Sequence, residues 1–217
     1  VLMECPSSDD TCFCVSMGTN KTDDYAMAVR AEKDGSLKVK VCDKAFESLF
    51  SQYPSAEFEP KFVEENETKV SVPDIADKEV LNKLKAHPMW KEYNGRCISC
   101  GACTVACSTC TCFTTKDIAY GENPEVGERR RVTASCQIDG FSTVAGGASY
   151  RNTAGDRMRF KMLHKFHDYK ARFGDSHMCV GCGRCIHRCP EFITVTNVLD
   201  KMCGAVEEIN AEKGGAE

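Results

Sequence analysis

Two runs of four cysteines in the second half of the chain have the same spacing, Cys-x2-Cys-x2-Cys-x3-Cys. The first run is Cys97, Cys100, Cys103 and Cys107, and the second is Cys179, Cys182, Cys185 and Cys189. This spacing is typical of [4Fe–4S] sites, because two intervening residues let successive thiolates reach successive irons of a cubane. Gly101, Gly181 and Gly183 let the backbone curl so that amide N–H groups can point at sulfurs. We therefore predict two [4Fe–4S] clusters.

The last cysteine of each run is expected to serve the cluster of the other run, as in two-cluster ferredoxins. The predicted first cluster has the ligands Cys97, Cys100, Cys103 and Cys189. The predicted second cluster has the ligands Cys179, Cys182, Cys185 and Cys107. A structural zinc site would need separated Cys pairs instead, and a disulfide framework would need a secretory signal; both fit the sequence poorly.

A third cluster is a further prediction, because Cys5, Cys12 and Cys14 place three thiols in one short segment. Its fourth ligand could be Cys42 or a cysteine upstream of Val1, since the absence of an initiator methionine leads us to expect a truncated start. The remaining cysteines near the first run, Cys110, Cys112 and Cys136, could be alternative ligands, redox-active thiols or small buried hydrophobes. We favour the last interpretation.

Composition argues against several function classes. The 217 residues are 42% hydrophobic and 28% charged with a net charge of −4, which favours neither a nucleic-acid partner nor a membrane span. No signal peptide is recognisable, so a cytoplasmic location is expected. Dinucleotide fingerprints, P-loops and H-E-x-x-H motifs are missing from the sequence. We therefore predict a non-catalytic electron-transfer subunit of an oxidoreductase complex.

The elements that position these cysteines indicate an α+β chain. Residues 1–73 are predicted to form a small α+β unit that contains a β-hairpin over 25–42, turning at Asp34-Gly35. Apolar spacing over 43–53 predicts a helix, and 69–72 a short strand. Residues 74–217 are predicted to form a helical ferredoxin-like domain that binds two clusters.

Helical periodicity recurs through this second domain. A helix is predicted from Asp74 or Asp77 to His87-Pro88, another over 156–173 and a third over 192–209. The 156–173 helix carries many basic residues, which could form a docking patch for an acidic partner with the 129–131 run, but we favour solvated faces. His164 and His167 could donate hydrogen bonds at a cluster edge or carry protons, but we favour a surface position. Cys203 is expected in the core. Since helices are predicted after each cysteine run, the domain should differ from compact bacterial ferredoxins, whose clusters are framed by short strands.

Seven segments carry a resemblance to a known family. They are CFCVSMGTNKTD (12–23), RCISCG (96–101), AYGENP (119–124), GERRR (127–131), AGG (145–147), DYKAR (168–172) and MCVGCGRC (178–185). With these segments the chain resembles the iron–sulfur subunits of anaerobic siroheme-type sulfite reductases, a family related to the β subunits of cytosolic sulfhydrogenases. The resemblance spans nearly the whole chain.

This resemblance implies particular partners. The chain would pass electrons from a flavin-containing, NAD(P)H-oxidising subunit to a siroheme subunit that reduces sulfite. The alternative is the equivalent electron-transfer β subunit of a soluble hydrogenase or sulfur reductase, which shares the cysteine runs. Members of the sulfite reductase family usually carry an extra N-terminal segment with a Cys-Asp pair, which is absent here and agrees with a truncated start.

Overall fold

The computed structural model describes residues 1–5, 7–75, 77–122, 125–174 and 176–214. Asn123 and Pro124 of the 119–124 motif and residues 215–217 of the predicted second domain lie outside the described residues. The chain divides into two compact units. The first contains Val1–Lys69 together with Val180–Cys182, and the second contains Val70–Cys179 and Gly183–Glu217. Three residues of the second cysteine run therefore belong to the N-terminal unit.

A three-stranded sheet organises the first unit. Strand β1 (Leu2–Met3) pairs in parallel with β2 (Met27–Ala31), which pairs antiparallel with β3 (Leu37–Val41). Gly35 turns the hairpin with φ +86°, a conformation that glycine adopts without steric cost, and the Asp34 carboxylate accepts from the Ser36 amide at 2.9 Å. The hairpin predicted over 25–42 is confirmed.

The structure differs from two other predictions for the first 73 residues. The predicted 43–53 helix is reduced to a 3-10 turn (Lys44–Phe46) and α1 (Glu47–Phe50), and no side chain of either is buried. The strand predicted over 69–72 is wrong, because its backbone is irregular there and pairs with none of the three strands. The predicted boundary at residue 73 itself stays a prediction.

Helices build most of the second unit. Their bounds are α2 (Lys78–Ala86), α3 (Tyr93–Arg96), α4 (Ala102–Val105), α5 (Ala154–Leu163), α6 (Tyr169–Phe173), α7 (Arg184–His187) and α8 (Val195–Gly214). A 3-10 segment, Pro88–Glu92, leads into α3, and a π-helical segment, His164–Asp168, joins α5 to α6. Asp77 caps α2 through the Glu79 amide at 2.7 Å, as predicted.

A β-hairpin interrupts these helices. Strands β4 (Phe113–Ala119) and β5 (Gly127–Thr133) pair antiparallel directly after the first cysteine run, so the prediction that helices follow both runs is wrong for the first. Nearly all side chains of the β4–β5 hairpin are exposed, so its sequence has no apolar alternation from which the strands could be predicted. Cross-strand contacts stabilise the hairpin instead: Arg129 pairs with Asp117 at 2.6 Å, and Arg131 covers the Phe113 ring. Strands and helices together agree with the α+β class.

The core of the second unit lies along α5 and α8. The predicted C-terminal helix is confirmed, and it buries Val195, Val198, Leu199, Met202, Val206 and Ile209. Trp90, the only tryptophan in the chain, is also buried and donates its indole N–H to the Leu84 carbonyl at 2.7 Å. Cys203 is only half-buried and donates to the Ser71 carbonyl at 3.6 Å, so its predicted core position is wrong. None of the described helices is long and apolar enough to span a membrane.

Candidate cluster-binding site

Four cysteines of the second unit that come from two segments far apart in the sequence line one cavity. They are Cys97, Cys100, Cys103 and Cys189. The cavity is partly open to solvent, and its other lining residues include Ile98, Met158, Val195 and Val198. These four cysteines are the ligand set that exchange of the fourth thiolate predicts for the first cluster.

Tight backbone turns aim the first three of these cysteines. Ser99 and Gly101 both have left-handed backbone conformations, with φ of +57° and +76°, and they turn the chain into α4. A side chain at Gly101 would bring Cβ within 2.9 Å of the Ser135 hydroxyl, so only glycine fits. The Thr104 hydroxyl donates to the Gly101 carbonyl at 2.7 Å and closes the turn.

The fourth cysteine follows α7. The Ile193 amide donates to Cys189 Sγ at 3.3 Å, which is the kind of N–H to sulfur contact that stabilises a bound cluster. Among the described residues, no three of the four cavity cysteines have sulfurs within 4.8 Å of one another. Tetrahedral zinc, with Zn–S distances of about 2.3 Å, would need sulfurs closer than that. The cavity cysteines are therefore not placed for one tetrahedral zinc ion.

A stripe of buried cations on α5 and its continuation faces these loops. Arg157, Lys161 and Lys165 recur every four residues and are 7%, 4% and 7% exposed. The solvated faces expected for the basic helix are therefore wrong for these three side chains. Arg159 is half-buried, and Lys170 and Arg172 are exposed.

Each buried cation has a different partner. Arg157 donates to the Ser99 hydroxyl at 2.9 Å and to the Asp139 carboxylate at 2.9 Å. Lys165 donates to Cys107 Sγ at 3.3 Å and to the Thr109 hydroxyl at 3.4 Å. Lys161 lines the cavity of the first cysteine run, and its charge interacts with Cys103, Cys185 and Cys136.

The electrostatics of these contacts agree with anionic sulfur nearby. Burial by itself lowers the pKa of Lys161, but Cys103 and Cys185 outweigh it, and the net shift is upward. For the Cys107 thiol, burial by itself raises the pKa. The Thr109 hydrogen bond and the Lys165 charge outweigh burial, and the net shift of the Cys107 pKa is downward. Lys161 and Lys165 have no carboxylate partner among the described residues. A buried ammonium group needs an anionic partner, and a thiolate-ligated iron–sulfur cluster would be one. The residues present therefore fit such clusters.

The second cysteine run begins against the π-helical segment. The Met178 amide donates to the Lys165 carbonyl at 3.0 Å, and Gly183, with φ of +67°, starts α7. Helices α4 and α7, which contain the third cysteine of the first and second run, contact each other. Of the predicted second set, Cys107, Cys179 and Cys185 lie in the second unit and Cys182 in the first.

Within the first unit, the Cys12–Cys14 segment packs on the three residues 180–182. The Phe13 amide donates to the Gly181 carbonyl at 2.8 Å, and Cys12 Sγ donates to the Cys182 carbonyl at 3.7 Å. Buried Asn66 accepts from the Val15 amide at 2.8 Å and from Cys14 Sγ at 3.5 Å. Cys5 is exposed and interacts electrostatically with Cys12, while Cys42 is exposed at the end of β3.

The three cysteines around the hairpin also come together. Cys112 precedes β4, and its carbonyl accepts from the Ala134 amide at 3.1 Å, which places it near Cys136 beyond β5. Cys136 is buried, whereas Cys110 and Cys112 are half-buried. A hydrogen bond from Cys112 lowers the pKa of the Cys136 thiol to about 7 and raises the pKa of Cys112. Burial therefore fits the buried-hydrophobe interpretation for Cys136 alone, and its lowered pKa distinguishes it from an inert buried thiol.

The two histidines predicted at the surface are half-buried instead. His164 stacks on Phe160 with the ring centroids 5.4 Å apart, and burial lowers its pKa. His167 contacts the Ile75 carbonyl at 3.1 Å and the Asp168 carboxylate at 2.9 Å. Both side chains stabilise the packing of the helix.

Sequence reasoning missed the buried stripe and Asn66. The one signal for the stripe was the four-residue spacing of Arg157, Lys161 and Lys165 beside Met158, Met162 and Phe166. Adjacent apolar and basic stripes on one helix do not by themselves say which of them is buried. Nothing in the sequence singled out Asn66.

The site defines a class of protein. Residues 96–193 match the family model of the 4Fe-4S dicluster domain, so a ferredoxin-like dicluster domain is present in this chain.

The chain is also 32% identical, over 208 residues, to the beta subunit of sulfhydrogenase 2 from Pyrococcus furiosus. The match covers 89% of this chain and 60% of that protein, so the chain spans less than two thirds of this relative. No solved structure matches the chain significantly. The chain is thus similar to a sulfhydrogenase β subunit, and its residues 96–193 match a 4Fe-4S dicluster domain.

Proposed function

We propose that the chain holds two [4Fe–4S] clusters and conducts electrons between the subunits of a sulfhydrogenase-type or related sulfur-reducing complex. The observation that carries this proposal is the single cavity lined by Cys97, Cys100, Cys103 and Cys189. The first cluster would use these four thiolates, and the second would use Cys179, Cys182, Cys185 and Cys107. Cluster chemistry supplies one-electron transfer, and the protein residues orient the thiolates and exclude water.

A third cluster, held by Cys5, Cys12 and Cys14, is part of the proposal. Packing of the Cys12–Cys14 segment on residues 180–182 supports it, because the segment then lies against backbone of the second cysteine run. Iron and acid-labile sulfide content of the anaerobically purified chain distinguishes two clusters from three.

The cluster assignment is tested by replacing one distant ligand. Cys189→Ser should lower the iron content and change the electron paramagnetic resonance (EPR) spectrum of the reduced chain. Cys203→Ser, whose thiol donates to the Ser71 carbonyl, is the matched control and should keep full iron. Bound zinc without absorbance near 400 nm would contradict the proposal.

The partner is the second part of the proposal. Relatedness to a sulfhydrogenase β subunit supports a hydrogenase or sulfur reductase complex more strongly than a sulfite reductase. The sulfite reductase alternative depends on the resemblance to that family in the segments 12–23 and 127–131. In either complex, we propose that one end of the electron path is a flavin-containing NAD(P)H-oxidising subunit.

Absorbance measurements on the native complex, isolated anaerobically through a tag on this chain, distinguish the two candidate partners. With a hydrogenase partner, H2 should bleach the cluster absorbance near 400 nm and sulfite should have no effect. With a siroheme partner, sulfite should restore the absorbance of clusters reduced by NAD(P)H, and H2 should not bleach it.

A further inference from the structure

The two buried lysines on the cation stripe lack the usual partners of buried cations. Lys161 and Lys165 are 4% and 7% exposed, and neither pairs with a carboxylate among the residues described. Burying an ammonium group without an anion is strongly unfavourable. Arg157 differs from both, because the exposed carboxylate of Asp139 already balances its charge.

The contacts of Lys161 reach both cysteine runs. Lys161 lines the cavity together with Cys103, the third cysteine of the first run. Helix α4, which contains Cys103, contacts α7, which contains Cys185, the third cysteine of the second run, and the Lys161 charge interacts with both thiols. In the assignment above, these two thiolates ligate different clusters. Lys161 therefore interacts with one proposed ligand of each cluster.

The contacts of Lys165 involve a cysteine of the first run. Its ammonium group donates to Cys107 Sγ at 3.3 Å and to the Thr109 hydroxyl at 3.4 Å. After exchange of the fourth ligand, Cys107 belongs to the second cluster alone. One turn of helix thus separates a cation common to both clusters from a cation specific to one.

We propose that Lys161 is a shared counter-charge that raises the reduction potentials of both clusters, and that Lys165 does so only for the cluster ligated by Cys107. This inference rests on the proposed two-cluster function. A fixed positive charge beside a thiolate ligand stabilises the added electron, and in a buried site water screens that charge weakly. Arg157, in contrast, positions the 97–100 loop through Ser99.

The test is a potentiometric titration of the full cluster-loaded chain, followed by EPR spectroscopy. Lys161→Met should make both midpoint potentials more negative, and Lys165→Met should do so for one. We expect about a tenfold decrease in the equilibrium constant of reduction for each affected cluster, which is about 59 mV for a one-electron couple. Lys170→Met, which removes an exposed lysine from the same helical segment, should shift neither potential.

A charge-preserving variant separates electrostatics from packing. Lys161→Arg should keep both potentials close to wild type. If Lys161→Met and Lys161→Gln both lose their clusters while Lys161→Arg keeps them, the requirement for charge is supported. Unchanged potentials in Lys161→Met, a shift of only one of them, or cluster loss in Lys161→Arg would overturn the inference. A wild-type chain without iron would overturn the proposed function instead.

Discussion

Single residues determine how the cysteine loops fold. Gly101 and Gly181 both have left-handed backbone conformations, and each lies where an added Cβ would collide with a neighbour. The two positions protect different contacts: Gly101 faces Ser135, and Gly181 faces the backbone of Phe13 and Cys14. Glycine at these sites is therefore required by close approach as well as by φ.

Gly181→Ala should loosen the Cys12–Cys14 segment. The new Cβ would lie 2.6 Å from backbone atoms of Phe13, and the left-handed conformation costs a further ~1 kcal/mol or more. Hydrogen exchange of residues 12–19, measured by mass spectrometry, should become faster. Gly204→Ala on α8, where an added Cβ meets nothing within 4 Å, is the control. Unchanged protection in Gly181→Ala would contradict this prediction.

Cys107→Ser should damage the cluster held by Cys179, Cys182 and Cys185, although Cys107 is adjacent in sequence to the other run. The reason is the expected exchange of the fourth ligand. EPR spectra of Cys107→Ser, Cys97→Ser and Cys179→Ser provide the comparison. The Cys107→Ser spectrum should resemble that of Cys179→Ser, and a match to Cys97→Ser would refute the exchange.

At the scale of elements, a half-buried ion pair connects the residue after β1 to β2. Arg30 donates to both carboxylate oxygens of Glu4 at 2.8 Å, and the Lys61 amide adds a third hydrogen bond at 2.9 Å. The Glu4 side chain is only 6% exposed. These contacts, with the Arg30 hydrogen bond first among them, lower the pKa of Glu4 below its usual 4.5. Strand β1 has only two residues, so this pair supplies much of its attachment.

The lowered pKa predicts an acid-sensitive sheet. A carboxylate whose pKa is lower in the folded state stabilises that state above its unfolded pKa. This stabilisation decreases as the pH falls below about 4.5 and through the lowered folded value. Hydrogen exchange of β2, corrected for intrinsic rates, should therefore increase over this pH range in the wild type. Glu4→Gln should be less protected at pH 7 and should lose the pH dependence, whereas Glu65→Gln, at an exposed i,i+4 pair, should behave like the wild type.

For the whole molecule, the buried lysines connect cluster binding to the stability of the second unit. Their ammonium groups have anionic partners only when the sulfurs are ionised or hold clusters. The loaded protein can therefore be stable with two buried cations. Once the clusters are removed, the cations keep only the cysteine sulfurs as partners, and their stabilising contribution should decrease.

Cluster removal should consequently weaken the effect of Lys161→Met. In the loaded protein the variant should be less stable than wild type, by about 3–5 kcal/mol, because a buried anionic group loses its counter-charge, and in the iron-free protein the loss should be clearly smaller. Urea unfolding monitored by the fluorescence of buried Trp90 reports on this unit. Lys170→Met should change neither form, and a variant that destabilises both forms equally would contradict the electrostatic account.

Local patterns made much of the fold predictable. The Asp34-Gly35 turn, the Asp77 cap and the apolar period of α8 act within a few residues, and all three appear in the structure. The β4–β5 hairpin was missed because its strands are exposed and have no apolar alternation. Residues 69–72 have strand-like composition, but composition does not supply a pairing partner.

The sequence by itself determined the cluster chemistry, because two intervening residues between cysteines are a local geometric requirement of a cubane. Tertiary structure decided that Cys189 shares a cavity with Cys97, Cys100 and Cys103. It also decided that Lys161 and Lys165 are buried, although they carry the same charge as exposed Lys170 on the same helical segment. Burial depends on what packs against a helix face, and residues distant in the chain supply those contacts.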